Sequence, residues 1–305
     1  MKTFFKNFNA RKFFRDNYTG WLFNLPLTVG IVVFTMIPVL FSLIYSFMWR
    51  YNGFTFEAWG IHNYALMFTA DWGEVSRTFL NTVIYSVVSI PLSLVTSYFL
   101  ALLVNTSLKG VKVFRVLFYL PVTIPAVVSG LLWKDMFGQT YGIFNRILGL
   151  FGIAPFPFFA EAGTSMVSVF IMNLWTVGGG MILWLSAFKN IDKQYYEAVQ
   201  IEGGGRLAGF WYITIPMSTP MIFYNVIMST IGSLQYNGPL TYAPNGGRGW
   251  DDSLYMYAVK IYQEAIESGM IGYGSALAWI FLIIIGMITV VLFATSKWVF
   301  YGEEA

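Results

Sequence analysis

The residues best suited to do work in this 305-residue chain are charged or glycine-rich and share one loop. Between positions 192 and 216, Glu197, Ala198, Glu202 and Arg206 surround the run Gly203, Gly204 and Gly205, and Phe210 and Pro216 follow. A carboxylate exposed on a polar helix can hold register against a cationic surface, and glycine supplies the positive backbone dihedrals a tight turn needs. This is docking chemistry rather than bond-making. Candidates for bond-making are few, because the chain has no cysteine and a single histidine, His62. Thiol nucleophiles, disulfides and cysteine-based metal sites are therefore excluded. No G-x-x-x-x-G-K-[ST] run occurs, so ATP binding by that route is excluded as well. With no Ser–His constellation, intramembrane Asp pair or metal-ligand cluster, no catalytic residue, metal or cofactor is expected.

These side chains need a scaffold, and composition says which kind. The chain is 57% apolar and 11% charged, against roughly 25% charged for a soluble domain. Six windows free of charge are long enough to cross about 30 Å of hydrocarbon, which takes about 20 helical residues. They are 21–48, 78–104, 116–133, 165–188, 213–235 and 268–296. An all-α membrane protein of six transmembrane helices is predicted, with residues 21–300 as one domain and a core from 78 to 300. The first window is too long for the apolar core of a signal peptide, so it reads as a retained helix. Prolines at 26, 38, 91, 121, 125, 216 and 220 fall within or beside these windows. Each tends to kink a helix, and kinked helices in a bilayer surround a cavity or a packed partner.

Lys and Arg in short flanks favour the cytoplasmic side. With the N-terminus inside, twelve basic residues fall inside and six outside. Both termini and the 192–216 loop are then cytoplasmic. Residues 1–20 form a basic stretch whose phenylalanines, from Phe4 to Phe14, alternate with cations, as suits a segment along the inner leaflet. Residues 301–305 make a short cytoplasmic tail. The net charge of +3 is small and scattered, which argues against nucleic acid as a partner. The aromatic-rich segment 50–77 suits the headgroup level. Positions 251–266 carry apolar residues at helical spacing behind Asp251 and Asp252, a pair that can cap a helix start. No internal repeat is evident, which disfavours an inverted-repeat carrier.

The spacing of the 192–216 loop resembles the EAA loop of binding-protein-dependent ABC transporter permeases. Glu197, Ala198, Gly203, Phe210, Ile213, Ile215 and Pro216 match that pattern, while Val199 and Glu202 replace an alanine and an aspartate. Phe118, Leu120 and Pro121, the stretch 142–149 and the stretch 272–279 are similar to the sugar-type branch of the family. One departure lies at Ala243 to Arg248, where the branch usually shows Thr-x-Gly-Gly-Pro. The resemblance implies a type I ABC importer permease of an inner, cytoplasmic prokaryotic membrane. Its implied partners are a second homologous permease, two ATP-hydrolysing subunits, an extracytoplasmic solute-binding protein and a carbohydrate substrate. ATP would be bound by the partner subunits, with the loop docked on them as two short helices that Pro216 ends at the membrane entrance.

No window carries Asp, Glu, Lys or His at its middle, which argues against an ordinary proton or sodium relay. Polar and aromatic residues do occur there: Asn173, Trp175, Thr176, Asn225, Ser229, Gln235, Tyr236, Ser275 and Trp279. Amides, hydroxyls and aromatic faces bind sugars, so this set is a candidate translocation surface. Interhelical hydrogen bonding is the alternative role for each of them, contributing about 0.6 kcal/mol apiece. For the whole chain, an ion-coupled secondary carrier or channel for a small neutral solute is the alternative to an ATP-driven importer.

Overall fold

The computed structural model describes residues 18–106 and 109–300, so the basic stretch at 4–17 and the tail 301–305 lie outside the described residues. Helices α1 (Tyr18–Ile31) and α2 (Ile37–Ser46) are joined by a π turn, Val32–Met36. A two-stranded hairpin, β1 (Met48–Trp49) against β2 (Ala58–Trp59), and the short α3 (His62–Phe68) lead into α4 (Trp72–Val104). The 33 residues of α4 span about 50 Å at 1.5 Å per residue, which makes it the axis of the bundle. Helices α5 (Val111–Tyr119) and α6 (Ala126–Met136) follow, then α7 (Ile143–Leu150), α8 (Ala162–Leu174) and α9 (Gly178–Lys189). The 192–216 region forms α10 (Lys193–Ile201) and α11 (Arg206–Gly209), followed by a π turn, Phe210–Thr214, and α12 (Ile215–Leu234). Helices α13 (Pro239–Tyr242), α14 (Tyr257–Tyr262) and α15 (Ile271–Ala294) complete the described chain.

Among the described residues, three continuous helices are long and apolar enough to cross a membrane, at 20–46, 72–104 and 271–298. Two more spans arise if each bent pair counts as one: α5 with α6, bent by 98°, and α8 with α9, bent by 46°. The windows at 116–133 and 165–188 are therefore not straight helices. At the first bend Ile124 precedes Pro125 and is extended (φ −78°, ψ 128°), because the proline ring disfavours helical backbone in the residue before it. The window at 213–235 forms the 20-residue α12, but Ser218, Thr219, Asn225, Ser229, Thr230 and Ser233 dilute its apolarity. It does not pass the same test of length and hydropathy.

The other prolines act more gently than their number suggests. Pro91 and Pro220 sit inside unbroken helices. Pro38 and Pro216 each follow a π turn by two residues, and Ile37 N–H and Ile215 N–H bond to carbonyls five residues back. A widened turn absorbs the ring and the missing donor without breaking the rod. Pro216 accordingly does not end a helix, contrary to the expectation above; helical backbone runs from Arg206 through the π turn into α12. Asp251 and Asp252 are likewise not a helix cap. Both adopt positive φ (50° and 55°), and α14 begins later, after Met256.

Helix α4 packs along α9 and α12, while α15 packs along α2. Towards the 193–214 end, Trp184 donates its indole N–H to Ser97 Oγ at 2.9 Å among Ala101, Val104, Met181 and Phe188. At the opposite end Trp133, Phe137, Phe144, Phe158 and Phe159 form an aromatic cluster with Tyr242, and Phe137 stacks on Phe158 at 4.1 Å. Asn145, from the 142–149 stretch, clamps this cap: its amide donates to the Phe156 carbonyl at 3.1 Å, and its oxygen accepts the Phe156 N–H at 2.8 Å. Gly178 lets α9 meet the chain ahead of the 98° bend, since a Cβ there would overlap the Phe118 carbonyl. Gly178→Ala is expected to destabilise the protein by about 1–3 kcal/mol, the range for overpacking, read as a lower unfolding midpoint in detergent. An unchanged midpoint would show that the two segments separate freely.

Candidate functional site

Two cavities share Asn173 and Thr176, at the junction of α8 and α9. One, of about 370 Å³, is lined by Ser89, Ser93 and Ser97 of α4, by Asn173 and Thr176, and by Asn225 and Ser229 of α12. The second, of about 830 Å³, takes in the bend at 121–125, Asn173 and Thr176 again, and Tyr236, Thr241 and Glu267. Ser97 lies towards the 193–214 end and Tyr236 beyond the far end of α12, so the cavities succeed one another along the bundle. Where they meet, the Asn173 amide donates to the Tyr85 hydroxyl at 2.8 Å, and the Tyr236 hydroxyl donates to Asn173 Oδ1 at 3.5 Å. The Tyr85 and Tyr236 rings stack at 4.5 Å. Among the described residues lining either cavity, Glu267 alone is formally charged. Such a surface can hydrogen-bond and stack, but it offers no cation–anion steering along most of its length.

At one end of the bundle, Asp192 Oδ1 caps α10 by accepting the Gln194 N–H at 3.0 Å, as short polar side chains do at helix starts. Gly203, with φ of 81°, turns the chain. Gly204 packs so tightly that an added Cβ would lie 2.6 Å from Val199 Cγ1. Tyr196 ties the turn to the bundle, its hydroxyl bonded to Thr214 Oγ1 at 2.9 Å. Glu197, Ala198, Glu202 and Arg206 are exposed on the outer face, beside Ile201 (86% exposed) and Leu207 (76%). Phe210 is half-buried beneath them, with its ring 6.4 Å from that of Tyr98.

The opposite end holds a cluster of ions. Lys260, with a side chain 0% exposed, lies 3.0 Å from Asp71, 3.0 Å from Glu74 and 3.3 Å from Glu264. The Tyr273 hydroxyl also donates to Asp71. Arg248 lies 4.1 Å above the Tyr255 ring, donates to the Tyr255 hydroxyl at 3.2 Å, and contacts Glu74 at 3.4 Å. Burial alone would lower the Lys260 pKa, but hydrogen bonds to Asp71 and Glu74 outweigh it and leave the value raised. Burial pushes the Tyr255 hydroxyl up to about 12, despite the nearby Lys260 and Arg248. The cluster joins the start of α4, the 248–264 segment and α15 at one point.

Comparison with known proteins fits this architecture to a family. No family model matches the chain. The probable ABC transporter permease protein YesP of Bacillus subtilis is 35% identical over 302 residues, covering 97% of this chain and 96% of that protein. The chain belongs to the ABC transporter permease family. The trehalose/maltose transport system permease protein MalF of Thermococcus litoralis is 27% identical over 297 residues, covering 95% of this permease and 98% of its own length. A crystal structure of a bacterial alginate ABC transporter, in complex with alginate pentasaccharide-bound periplasmic protein, matches with a TM-score of 0.82 at 18% identity. That match covers 94% of this permease and 97% of the other chain, and it shows the shared fold. Named relatives and apolar helices together make the permease a multi-pass membrane protein.

The permease fold brings together Asn173, Thr176, Asn225, Ser229 and Tyr236 from the sequence-derived set, all on the two cavities. The other four residues lie elsewhere. Trp175 meets Trp133 edge-on at 5.0 Å in the aromatic cap. Gln235 borders a separate groove with Phe281 and Ile285. Ser275 is buried in α15, and the Trp279 indole donates to Ser42 Oγ at 3.1 Å, fastening α15 to α2. The sequence reading missed Tyr85 and the serines of α4, although Ser86, Ser89, Ser93 and Ser97 fall at helical spacing on one stripe. That spacing was the available signal. It missed the role of Lys260, because two of its three carboxylate partners, Asp71 and Glu74, are nearly 190 residues away, and only Glu264 is near in sequence.

Proposed function

We propose that this permease forms half of the translocation pathway of an ATP-driven importer for a carbohydrate, an oligosaccharide delivered by an extracytoplasmic binding protein. A second, similar permease completes the pathway, and two partner subunits bind and hydrolyse ATP. The membrane is the inner one of a prokaryote, with both termini and the 193–214 segment cytoplasmic. The observation that carries the reading is the pair of cavities lined by hydroxyls, amides and tyrosines at the heart of the bundle. Hydroxyl-rich cargo suits such a lining, and the substrates for which the relatives are named, trehalose, maltose and alginate, are carbohydrates.

The exposed face of α10 and α11 is the docking surface for the ATPase in this reading. Driving a two-state equilibrium from 1:99 to 99:1 takes about 5.5 kcal/mol of differential binding, whereas an exposed ion pair supplies roughly 0–1 kcal/mol. Glu197 therefore fixes register, and the apolar face around Ile201 and Leu207 supplies the bulk of the contact. Vesicles holding the complete transporter should accumulate oligosaccharide only with ATP and binding protein present. Asn173→Ala and Asn225→Ala should each reduce that uptake several-fold with ATP hydrolysis retained. Uphill accumulation by this chain alone, with no nucleotide, would overturn the reading in favour of an ion-coupled carrier.

A further inference from the structure

We propose that Tyr85, Asn173 and Tyr236 form the closed barrier between the two chambers of the pathway, with Tyr242 as the post that holds it. This rests on the permease reading, and it concerns which side chains separate one chamber from the next. Asn173 and Thr176 line both cavities, whereas Tyr85 borders only the chamber nearer residues 193–214 and Tyr236 only the other. The barrier is thus the shared wall. Its rings stack at 4.5 Å and 15°, close to van der Waals contact, so no solute fits between them. Asn173 bonds both tyrosines, donating to one and accepting from the other. The Tyr236 hydroxyl also meets that of the buried Tyr242 at 3.0 Å.

The three barrier residues come from three different segments: Tyr85 from α4, Asn173 from α8 and Tyr236 from the loop after α12. Relative motion of α4, α8 and the end of α12 would therefore part the rings. A hydroxyl-rich cargo could replace the bonds each polar group gives up, so opening orphans no buried donor in the presence of substrate. An apolar seal would lack that property.

The chain has no cysteine, which permits a direct test in the assembled transporter. Single cysteines are placed at Ser93, in the chamber nearer residues 193–214, and at Thr241, in the other. Each is challenged with a membrane-impermeant maleimide from the extracytoplasmic side, without nucleotide. Thr241→Cys should react readily and Ser93→Cys at least tenfold more slowly. Adding Asn173→Ala or Tyr236→Ala should speed reaction at position 93 at least tenfold and leave position 241 within twofold. Tyr236→Phe, which keeps the ring and loses both hydroxyl bonds, should give a smaller increase and serves if the alanine variants do not assemble. Equal reactivity at 93 and 241 in the unaltered barrier, or no change at 93 in any variant, would overturn the proposal. A failure of the permease reading would show separately, as absent ATP-dependent uptake by the intact complex.

Discussion

Lys260→Met is expected to destabilise the protein by about 3 kcal/mol. Removing one member of a buried ion pair typically costs 3–5 kcal/mol, because the remaining charge is left uncompensated. Here three carboxylates lose their shared cation. Asp71 and Glu264 are mostly buried, with side chains 18% and 15% exposed, but Glu74 at 45% reaches water, so the lower end of the range applies. The measurement is the unfolding midpoint of the purified transporter, with Glu74→Gln and the double variant completing a cycle. The double variant should recover part of the loss, since it also removes one of the carboxylates that lost this cation. The raised Lys260 pKa gives the sign of the pH response. Its stabilisation is fully present below the unfolded lysine value, about 10.4, and is lost only as pH rises through the higher folded value. The difference between Lys260→Met and the parent should therefore stay constant from pH 6 to 9. A difference that fades across that interval would mean the cluster is held by something other than this cation.

Gly203→Val is expected to reduce ATP-coupled uptake at least tenfold while leaving membrane insertion intact. At φ of 81° any residue with a Cβ pays about 1–2 kcal/mol, and branching at Cβ makes the conformation harder still to reach. The α10–α11 turn would reorganise, and the face bearing Glu197, Ile201 and Leu207 would lose its fixed geometry. Two controls separate this from a general effect of bulk. Gly205 has φ of −89° and open space around its Cβ position, so Gly205→Ala should be nearly silent. Gly203→Asn, which tolerates left-handed backbone, should fall between. Uptake and substrate-stimulated ATP hydrolysis are measured together; if both are normal in Gly203→Val, the turn is not the coupling element.

The two predictions differ in how far they could be read from the chain itself. Gly203 stands in a local pattern, a polar run between apolar windows with matched neighbours from Glu197 to Pro216. Its structural consequence, a turn between two short helices, depends on contacts within a few residues. Lys260 has no such signature. A lysine in this segment reads as an external charge beside Glu264, and its other carboxylate partners, Asp71 and Glu74, lie in a segment that folding alone brings near.

The same division runs through the rest of the permease. Hydropathy located membrane-length segments and proline placement marked where helices tend to kink, because backbone that cannot hydrogen-bond to lipid must form helices and proline limits where they continue, but only the structure showed that 121–125 is a 98° bend. Tertiary packing decided that Pro38 and Pro216 are absorbed by π turns and that Gly178 lets α9 meet the chain near Phe118. It also sorted the polar residues. Asn173 and Tyr236 share a wall between cavities, while Trp175 and Trp279, equally polar and aromatic by type, became packing contacts. Residue type sets what a side chain can bind. Which helix faces it is a property of segments far apart in the chain, fixed only when the whole bundle closes.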